Sequence, residues 1–537
     1  MMKTIAAVSV LHEVTAPLPS TGRLFRDEPV LRWTLRRLRR CAHLAEAAVV
    51  CASRQAQAAE AVCEGATVRA VEPSSPRHIE AITAALRWSD GWRGGLLGAC
   101  AFDRGFDAKA VAELCEQRQA EAVVLIDGSA ALVDAALVDG MIQHAQARPE
   151  EPLCFTPAAP GLGGVLLRRA LVEKLAESGI HPGRLLHYWP DLPARDPIGV
   201  AAAAPVPTVA ARTLHRFTCD SDRQKRLLER ATASLNGQLI TAQAAELVVL
   251  VSRAASALDM PRDVTLELNT NRATRPIYWP GERLGIEREP LSPERARPLF
   301  EELAQCDDLR LTLAGVGDPL LAPGILEIIQ SARDAGIRAI HVETDLVGVD
   351  EAIVAALADA PIDVLSVHIP AFSTRAYEMV MGIDGLKQAV ANIARFAQAR
   401  QATGRGTPLL APTFAKCTAN LAEMEVWYDH WLKACGSAVI VGPSDYGGRI
   451  EDVAAADMCP PMRCPCRRLG SRMTILCDGR VAACEEDVLG EQSPGIVGSA
   501  PIRSIWMQGM SGLRDAHACG RWDQRPLCAS CRQWHRP

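Results

Sequence analysis

Eight of the 18 cysteines in this 537-residue chain lie between residues 459 and 537. Cys466 and Cys484 flank a segment that predicts a β-hairpin, because its Asp-Gly pair is typical of a tight turn. Cys528 and Cys531 form a CxxC pair further along the chain. One thiolate from each flank of the hairpin and two from the CxxC turn supply four sulfurs. Such a set can hold either an iron–sulfur cluster or a zinc ion.

The spacing of these four cysteines resembles the SPASM domain, which carries auxiliary [4Fe-4S] clusters at the C-terminus of radical SAM enzymes. The resemblance covers the pattern Cys466-x12-Gly479-x4-Cys484, a later Ile-Trp pair, and Cys528-x2-Cys531. It implies that Cys466, Cys484, Cys528 and Cys531 ligate one [4Fe-4S] cluster. The alternative is a zinc ribbon whose metal only holds the fold.

Four other cysteines of this region fall outside that pattern: Cys459, Cys464, Cys477 and Cys519. They leave two interpretations open, a second cluster or the replacement of one ligand. Cys477 lies inside the predicted hairpin, where a packed thiol is expected. The ten cysteines before residue 459 lie mostly in apolar surroundings and are expected to be small buried side chains.

The region before this module, residues 262–455, alternates predicted strands and amphipathic helices. Its predicted strands are 264–269, 309–314, 339–343, 364–368, 409–413 and 438–441. Five or six strand–helix units imply a partial or full barrel, with function on the loops that follow the strands. His368, at the end of one predicted strand, occupies such a position.

This region resembles the radical SAM barrel, whose first strand leads into a CxxxCxxC motif. The three thiolates of that motif hold the cluster that cleaves S-adenosylmethionine. When the segment after the first strand is aligned on that motif, the three positions are Ala273, Ile277 and Pro280. These side chains offer no metal ligand. We therefore expect a barrel that does not cleave S-adenosylmethionine.

Two further loops resemble those of the same family. The segment that contains Gly315, Gly317 and Asp318 resembles the GGEP motif, which meets the amino group of S-adenosylmethionine. Glu343-Thr344-Asp345 resembles the ETNG loop without its Asn-Gly. The resemblance implies that Gly315, Gly317 and Asp318 bind a cofactor, so that a pocket for S-adenosylmethionine or a nucleotide persists without the radical chemistry.

Residues 1–205 also alternate predicted strands and helices, which indicates a parallel α/β sheet. The segment around Arg23 resembles the SxRLPGKPL loop of the nucleotidyltransferases that make CMP-activated sugars, with Phe25-Arg26-Asp27 in place of Pro-Gly-Lys. The resemblance implies that Arg23 meets a phosphate and that Asp127, at a predicted strand end, binds Mg²⁺. A role for Asp127 as the cap of the next helix is equally open.

Composition excludes several classes of protein. The net charge of −5, from 63 acidic and 58 basic residues, argues against a nucleic-acid binder that works through bulk positive charge. No stretch has the roughly 18 uninterrupted apolar residues of a membrane helix. The first residues predict a β-strand rather than a signal peptide, so we expect a cytoplasmic protein.

The predicted fold class is α/β, and it comprises four parts. They are a GT-A/Rossmann-like nucleotidyltransferase sandwich (1–205), a linker and helix (206–261), a radical-SAM-like partial barrel (262–455) and a SPASM-like module (456–537). This order resembles a group of bacterial fusion proteins that includes the spiro-SPASM family.

Three functional hypotheses follow from this order. The first is an iron–sulfur protein whose barrel binds a small molecule, a nucleotide-sugar or a peptide, with a redox partner. The second is a scaffold with a structural metal, and the third is a nucleotidyltransferase of cell-surface sugar metabolism.

Overall fold

The computed structural model describes residues 2–11, 20–73, 75–187, 201–255 and 258–536. The chain separates into two compact units, Met1–Ser256 and Ala257–Pro537. Within the described residues, no helix is both long and apolar enough to cross a membrane.

The first unit is built on a mixed sheet flanked by helices. Its strands are β1 (Thr4–Ser9), β2 (Leu24–Phe25), β3 (Glu28–Pro29), β4 (Glu46–Ala52), β5 (Thr67–Val71), β6 (Ala122–Asp127), β7 (Leu153–Phe155) and β8 (Val165–Arg168). Its helices are α1 (Val30–Leu38), α2 (Ala56–Val62), α3 (Pro76–Arg87), α4 (Ala108–Gln117), α5 (Ala135–Gln146), α6 (Arg169–Ser178), α7 (Pro182–Leu186), α8 (Thr208–Arg212), α9 (Asp222–Ala231) and α10 (Ala244–Ala254).

Among the described residues, six of these strands form one sheet in the order β5-β4-β1-β6-β8-β7. The four strands β5, β4, β1 and β6 run parallel, and β8 pairs antiparallel with both of its neighbours. Strand β1 is buried on both faces, which explains its continuous apolar sequence. The segment expected to be linker and helix forms α8, α9 and α10, whose apolar side chains join the core of this unit. Residues 256 and 257 of that segment lie outside the described residues.

The second unit is a longer alternation of strands and helices. Its strands are β9 (Asp263–Leu266), β10 (Arg310–Leu313), β11 (Ala339–Thr344), β12 (Val364–His368), β13 (Leu409–Ala415), β14 (Val439–Val441), β15 (Arg472–Ile475), β16 (Arg480–Ala482) and β17 (Gly495–Ile496). Its helices are α11 (Pro293–Leu303), α12 (Ile325–Ala335), α13 (Glu351–Ala356), α14 (Thr374–Met381), α15 (Leu386–Thr403), α16 (Met424–Cys435), α17 (Ile502–Ser504), α18 (Ser511–Ala518) and α19 (Pro526–Ser530).

In the described part of this unit, nine strands form one sheet in the order β14-β13-β12-β11-β10-β9-β15-β16-β17. Strands β9 to β14 are parallel and lie in chain order, so their carboxyl ends meet at one edge. The α/β prediction with parallel sheets is confirmed. The cysteine-rich segment extends the same sheet, because β15 pairs parallel with β9 and then turns into the expected hairpin with β16.

Candidate functional site

A cavity of about 380 Å³ lies at the carboxyl ends of the parallel strands in the second unit. Five neighbouring strands, β9 to β13, each contribute one of the following lining residues: Thr265, Thr312, Glu343, His368 and Thr413. The cysteine-rich segment contributes charged side chains to the same cavity: Arg468, Arg472, Glu485, Glu486 and Asp487. Because strand β15 continues the barrel sheet, the module and the barrel enclose one site.

Buried charges are linked at the barrel end of this cavity. Arg272 Nε lies 3.0 Å from Asp345 Oδ2, and the two side chains are 5% and 1% exposed. His368 joins the pair, with Nδ1 at 3.4 Å from Asp345 Oδ1 and Nε2 at 3.7 Å from Glu343 Oε2. The Arg272 guanidinium also stacks 3.9 Å above the ring of Trp279. The four groups form an Arg–Asp–His–Glu chain in which each charge is compensated.

The protonation states follow from these contacts. Burial by itself lowers the pKa of His368, but its hydrogen bonds to Asp345 and Glu343 raise that pKa to about 9. Burial by itself raises the pKa of Asp345, but Arg272 and the hydrogen bond from His368 lower it overall. His368 is therefore an imidazolium at neutral pH, and Asp345 is a carboxylate.

Substitution of His368 tests this charge state. The raised folded-state pKa predicts stabilisation that is fully present below the ordinary value of 6.5 and lost as the pH rises through about 9. The shift corresponds to about 3 kcal/mol. In urea unfolding, the free-energy difference between wild type and His368→Gln should shrink by about that amount from pH 6 to pH 10. Exposed His430→Gln is the control, and a difference independent of pH would contradict the assignment.

The glycine loop after β10 takes part in this site through its backbone. Gly315 and Gly317, two of the residues predicted to bind a cofactor, line the cavity. Asp318 does not, because its side chain is 1% exposed and turns inward. Its carboxylate accepts hydrogen bonds from the hydroxyl of Thr344 at 2.8 Å and from the backbone N–H groups of Asp345 and Leu320. Asp318 therefore joins this loop to the loop after β11.

Gly317 is needed because the chain passes very close to a buried amide. A Cβ at this position would overlap the side-chain and carbonyl oxygens of Asn269, which is 1% exposed. We expect Gly317→Ala to lower the free energy of unfolding by about 1–3 kcal/mol, the cost of overpacking. Gly470→Ala is the control, because a Cβ there meets nothing within 4 Å. Equal urea midpoints for the two variants would show that the loop moves to accommodate the Cβ with no loss of stability, and would contradict the prediction.

The segment that carries Ala273, Ile277 and Pro280 is attached to the end of α14. The N–H of Ile277 donates to the carbonyl of Val380 at 2.9 Å, and the N–H of Arg275 donates to that of Met381 at 2.8 Å. No side chain at the three aligned positions carries a metal donor. These three side chains cannot replace the thiolates that hold the cluster that cleaves S-adenosylmethionine.

A second buried ion pair lies within the barrel and contacts the cysteine module. Glu267 and Arg288 approach to 2.7 Å, with side chains 2% and 4% exposed. The thiol of Cys477 donates to the same carboxylate at 3.2 Å, so Cys477 is the packed thiol expected from the sequence. Sequence reasoning missed Glu267 and Arg288, as well as Arg272. The only available signal was the position of Glu267 directly after the first strand.

The four cysteines of the predicted cluster act on one another electrostatically. Burial raises the pKa of each thiol, to about 11 for Cys528 and Cys531, and repulsion from the other thiolates adds to the shifts of Cys484, Cys528 and Cys531. The Ile505 and Trp506 side chains, 3% and 0% exposed, pack beside this region. Among the described residues, no group of three or more His, Cys, Asp or Glu is arranged to hold a metal ion.

Three of the four sulfurs interact with the backbone N–H of the residue two positions later in the chain. The N–H of Gln533 donates to Cys531 Sγ at 3.3 Å. The N–H groups of Arg468 and Glu486 act on Cys466 and Cys484 in the same way and lower the pKa values that burial raises. Such contacts stabilise a thiolate, and with it a thiolate-bound iron.

In the first unit, the two predicted nucleotide-site residues are engaged with protein groups. Arg23 pairs with Asp222 at 2.6 Å. Asp127 lines a narrow pocket of about 30 Å³, where it accepts hydrogen bonds from Ser129 and pairs with Arg104 at 3.1 Å. Arg23 is absent from the described lining of that pocket. The structure therefore does not bring Arg23 and Asp127 together in one pocket.

No model of a known protein family matches this chain. A protein of Treponema pallidum (strain Nichols), described as an uncharacterized protein, is 26% identical over 310 residues, which are 55% of this chain and 84% of that protein.

Three solved structures illustrate the likeness in fold. BtrN in complex with AdoMet and 2-DOIA is 16% identical, with a TM-score of 0.35 and coverage of 50% of this chain and 92% of that chain. Streptococcus suis SuiB bound to S-adenosylmethionine is 10% identical, with a TM-score of 0.41 and coverage of 53% and 77%. A cytidylyltransferase from Leptospira borgpetersenii is 13% identical, with a TM-score of 0.35 and coverage of 47% and 95%. At these low scores, nothing about function rests on them.

Proposed function

We propose that this chain is an iron–sulfur protein of the radical SAM/SPASM type. In this proposal Cys466, Cys484, Cys528 and Cys531 hold one [4Fe-4S] cluster, and the barrel cavity binds a small molecule without cleaving S-adenosylmethionine. The observation that carries the proposal is the spacing Cys466-x12-Gly479-x4-Cys484 followed by the Cys528-x2-Cys531 pair. The electrostatic effect of these thiols on one another and the N–H of Gln533, which donates to Cys531 Sγ at 3.3 Å, support it.

The donor set fits a cluster on chemical grounds. Four cysteine sulfurs are the ligands that a [4Fe-4S] cluster takes, and N–H groups at those sulfurs favour the ligated form. Burial disfavours free thiolates at these positions, and a bound iron would offset that penalty because it compensates the thiolate charge. When bound, the cluster supplies one-electron transfer or an anchoring iron.

The position of the cysteines explains why a cluster would matter to the cavity. Cys484 directly precedes Glu485 and Glu486, which line the cavity. Cys466 comes two residues before Arg468, another lining residue. A molecule in the cavity would thus lie beside the cluster, which supports electron transfer to it or its direct anchoring.

The barrel itself supports binding rather than radical chemistry. At the entry to the aligned segment lies Arg272, whose guanidinium pairs with Asp345 and stacks on Trp279. The three positions that would need thiolates are Ala273, Ile277 and Pro280. These residues favour a cavity that binds a ligand without an iron–sulfur cluster at the three aligned positions.

Anaerobic purification, followed by iron, sulfide, zinc and visible-absorbance measurements, tests the proposal. We expect a brown protein with about four irons and four sulfides per chain. One zinc per chain without colour would replace the cluster with the structural-metal alternative. About eight irons would assign a second cluster to the remaining C-terminal cysteines. Formation of 5′-deoxyadenosine from S-adenosylmethionine with dithionite would contradict the proposed inactivity of the barrel.

Nucleotide transfer by the first unit, with residues 1–205 as its domain, remains a separate prediction. It requires Mg²⁺-dependent turnover of CTP that Asp127→Ala and Arg23→Ala each abolish. The pairing of Asp127 with Arg104 weighs against it, since a guanidinium already compensates the carboxylate that would bind the metal.

A further inference from the structure

The charges on the wall of the barrel cavity are nearly all compensated within the protein. Three positive lining groups have carboxylate partners: Arg468 with Glu486 at 3.2 Å, Arg472 with Glu485 at 3.0 Å, and His368 with Glu343 at 3.7 Å. Arg272 is neutralised by Asp345, as described above. None of these cations is left for a ligand unless an internal ion pair breaks.

The remaining carboxylates of the wall are also satisfied. Glu267 pairs with Arg288 at 2.7 Å and accepts the N–H of Val316 at 3.0 Å. Asp487 accepts three backbone N–H groups, from Ala483, Glu491 and Gln492, at 3.0–3.1 Å. Both oxygens of Asp487 are thus occupied by backbone donors, although no cation lies at ion-pair distance from it among the described residues.

Arg536 is the exception. Its Nη1 donates to the carbonyl of Gly442 at 2.9 Å, and within the described residues no carboxylate lies at ion-pair distance from it. The side chain is half-buried, and burial together with the charge of Arg468 lowers its pKa. The negative charges of Glu486, Cys531 and Glu485 oppose this shift but do not cancel it. A cation held in such a place without a partner gains stability from a bound anion.

The position of Arg536 is built into the fold. The preceding residues Gln533 and Trp534 are 8% and 6% exposed, so the end of the described chain is packed down. The N–H of Arg536 closes a turn on the carbonyl of Gln533 at 3.1 Å. On the opposite side Gly442 leaves room for the guanidinium, because a Cβ there would overlap Nη2.

We infer that Arg536 binds the carboxylate of a small molecule in this cavity. The inference rests on the proposed function, in which the cavity is the ligand site. A guanidinium matches a carboxylate in shape and in single charge. A phosphate monoester carries a charge of about −1.5 to −2, which one unpaired cation cannot balance.

Size and lining narrow the class of ligand further. A volume of about 380 Å³ lies in the range of small-molecule sites and is too small for a folded partner. Tyr278, Trp279 and Tyr446 line the cavity and provide apolar surface for the body of such a ligand. The structure thus points to a compact carboxylic acid with a flat or apolar body.

Benzoate, benzamide and phenyl phosphate form a matched set of probes. Titration calorimetry or ligand-observed NMR on the purified full chain should show that benzoate binds, that its neutral amide binds at least tenfold more weakly, and that phenyl phosphate binds no better than benzoate. Arg536→Gln should weaken benzoate binding at least tenfold, and Arg536→Lys should weaken it less. Arg532→Gln should leave it unchanged, since Arg532 is exposed and pairs with Asp457.

Several outcomes would overturn the inference. They are no benzoate binding to the wild type, equal binding by Arg536→Gln, or tighter binding of phenyl phosphate. Iron content, measured in the same preparations, separates this test from that of the cluster, because Arg536→Gln removes no cysteine. If Arg536→Gln keeps its iron and its circular dichroism but no longer binds benzoate, the result supports the site. If the wild type contains no iron but still binds benzoate through Arg536, the cluster proposal is wrong and the Arg536 site stands.

Discussion

Cys484→Ser is expected to reduce bound iron from about four atoms per chain to less than one and to remove the visible absorbance. The charges of Cys466 and Cys531 both raise the pKa of Cys484, which supports its assignment as one of the four ligands. A serine hydroxyl has nearly the same size but is not a thiolate at neutral pH, and the remaining three sulfurs leave one iron without its ligand. Iron and acid-labile sulfide assays after anaerobic purification measure the effect.

Cys477→Ser is the matched control for this experiment. Cys477 lies in the same hairpin and is fully buried, but its thiol donates to Glu267 and takes no part in the four-cysteine group. The serine hydroxyl can donate to the same carboxylate, so iron content should remain near that of the wild type. Full iron in Cys484→Ser, or equal loss in both variants, would show that the cluster assignment is wrong.

Asp345→Asn is expected to lower the free energy of unfolding of the second unit by about 3–5 kcal/mol. The carboxylate is 1% exposed and compensates two cations, the Arg272 guanidinium and the His368 imidazolium. An amide keeps the shape but not the charge, so Arg272 is left buried with its charge uncompensated. We also expect the pKa of His368 to fall, because one of the two carboxylates that raise it is gone.

Urea unfolding at pH 7, together with NMR titration of the histidines, checks both effects. Glu351→Gln is the control, because its ion pair with Arg395 has a similar distance of 2.7 Å but Glu351 is 74% exposed. We expect a change of less than about 1 kcal/mol there, as for other surface pairs. A loss of comparable size in the two variants would mean that the buried chain of charges contributes no more than a surface pair.

Short-range patterns in the sequence determined most of the elements. The strand expected at 364–368 coincides with β12, and the strand expected at 339–343 matches β11 to within one residue. Buried parallel strands are continuous apolar runs, and amphipathic helices repeat every three to four residues, so both leave a local signal. The Asp478-Gly479 turn likewise predicted the hairpin of β15 and β16.

Residue identity alone also determined the absence of thiolates at Ala273, Ile277 and Pro280 and the clustering of cysteines after residue 458. The three positions predicted to bind a cofactor, Gly315, Gly317 and Asp318, do not all face the cavity. Gly315 and Gly317 line the cavity, but Asp318 turns inward, because its carboxylate is used to join two loops of the barrel. A local motif shows that an acid is present but not which hydrogen bonds it makes.

Only the tertiary structure decided the partners of the charged residues. Arg272 meets Asp345 across 73 positions of sequence, and Asp127 meets Arg104. The same holds for β15, which pairs with β9 and thereby places the cysteine module against the barrel cavity. An ion pair or a strand pairing over such separations depends on how the whole sheet is assembled, and neither residue signals its partner locally. Residue types therefore determine which chemistry the chain can perform. The fold determines which charged side chain, Arg536, has no ion-pair partner among the described residues and can bind a ligand.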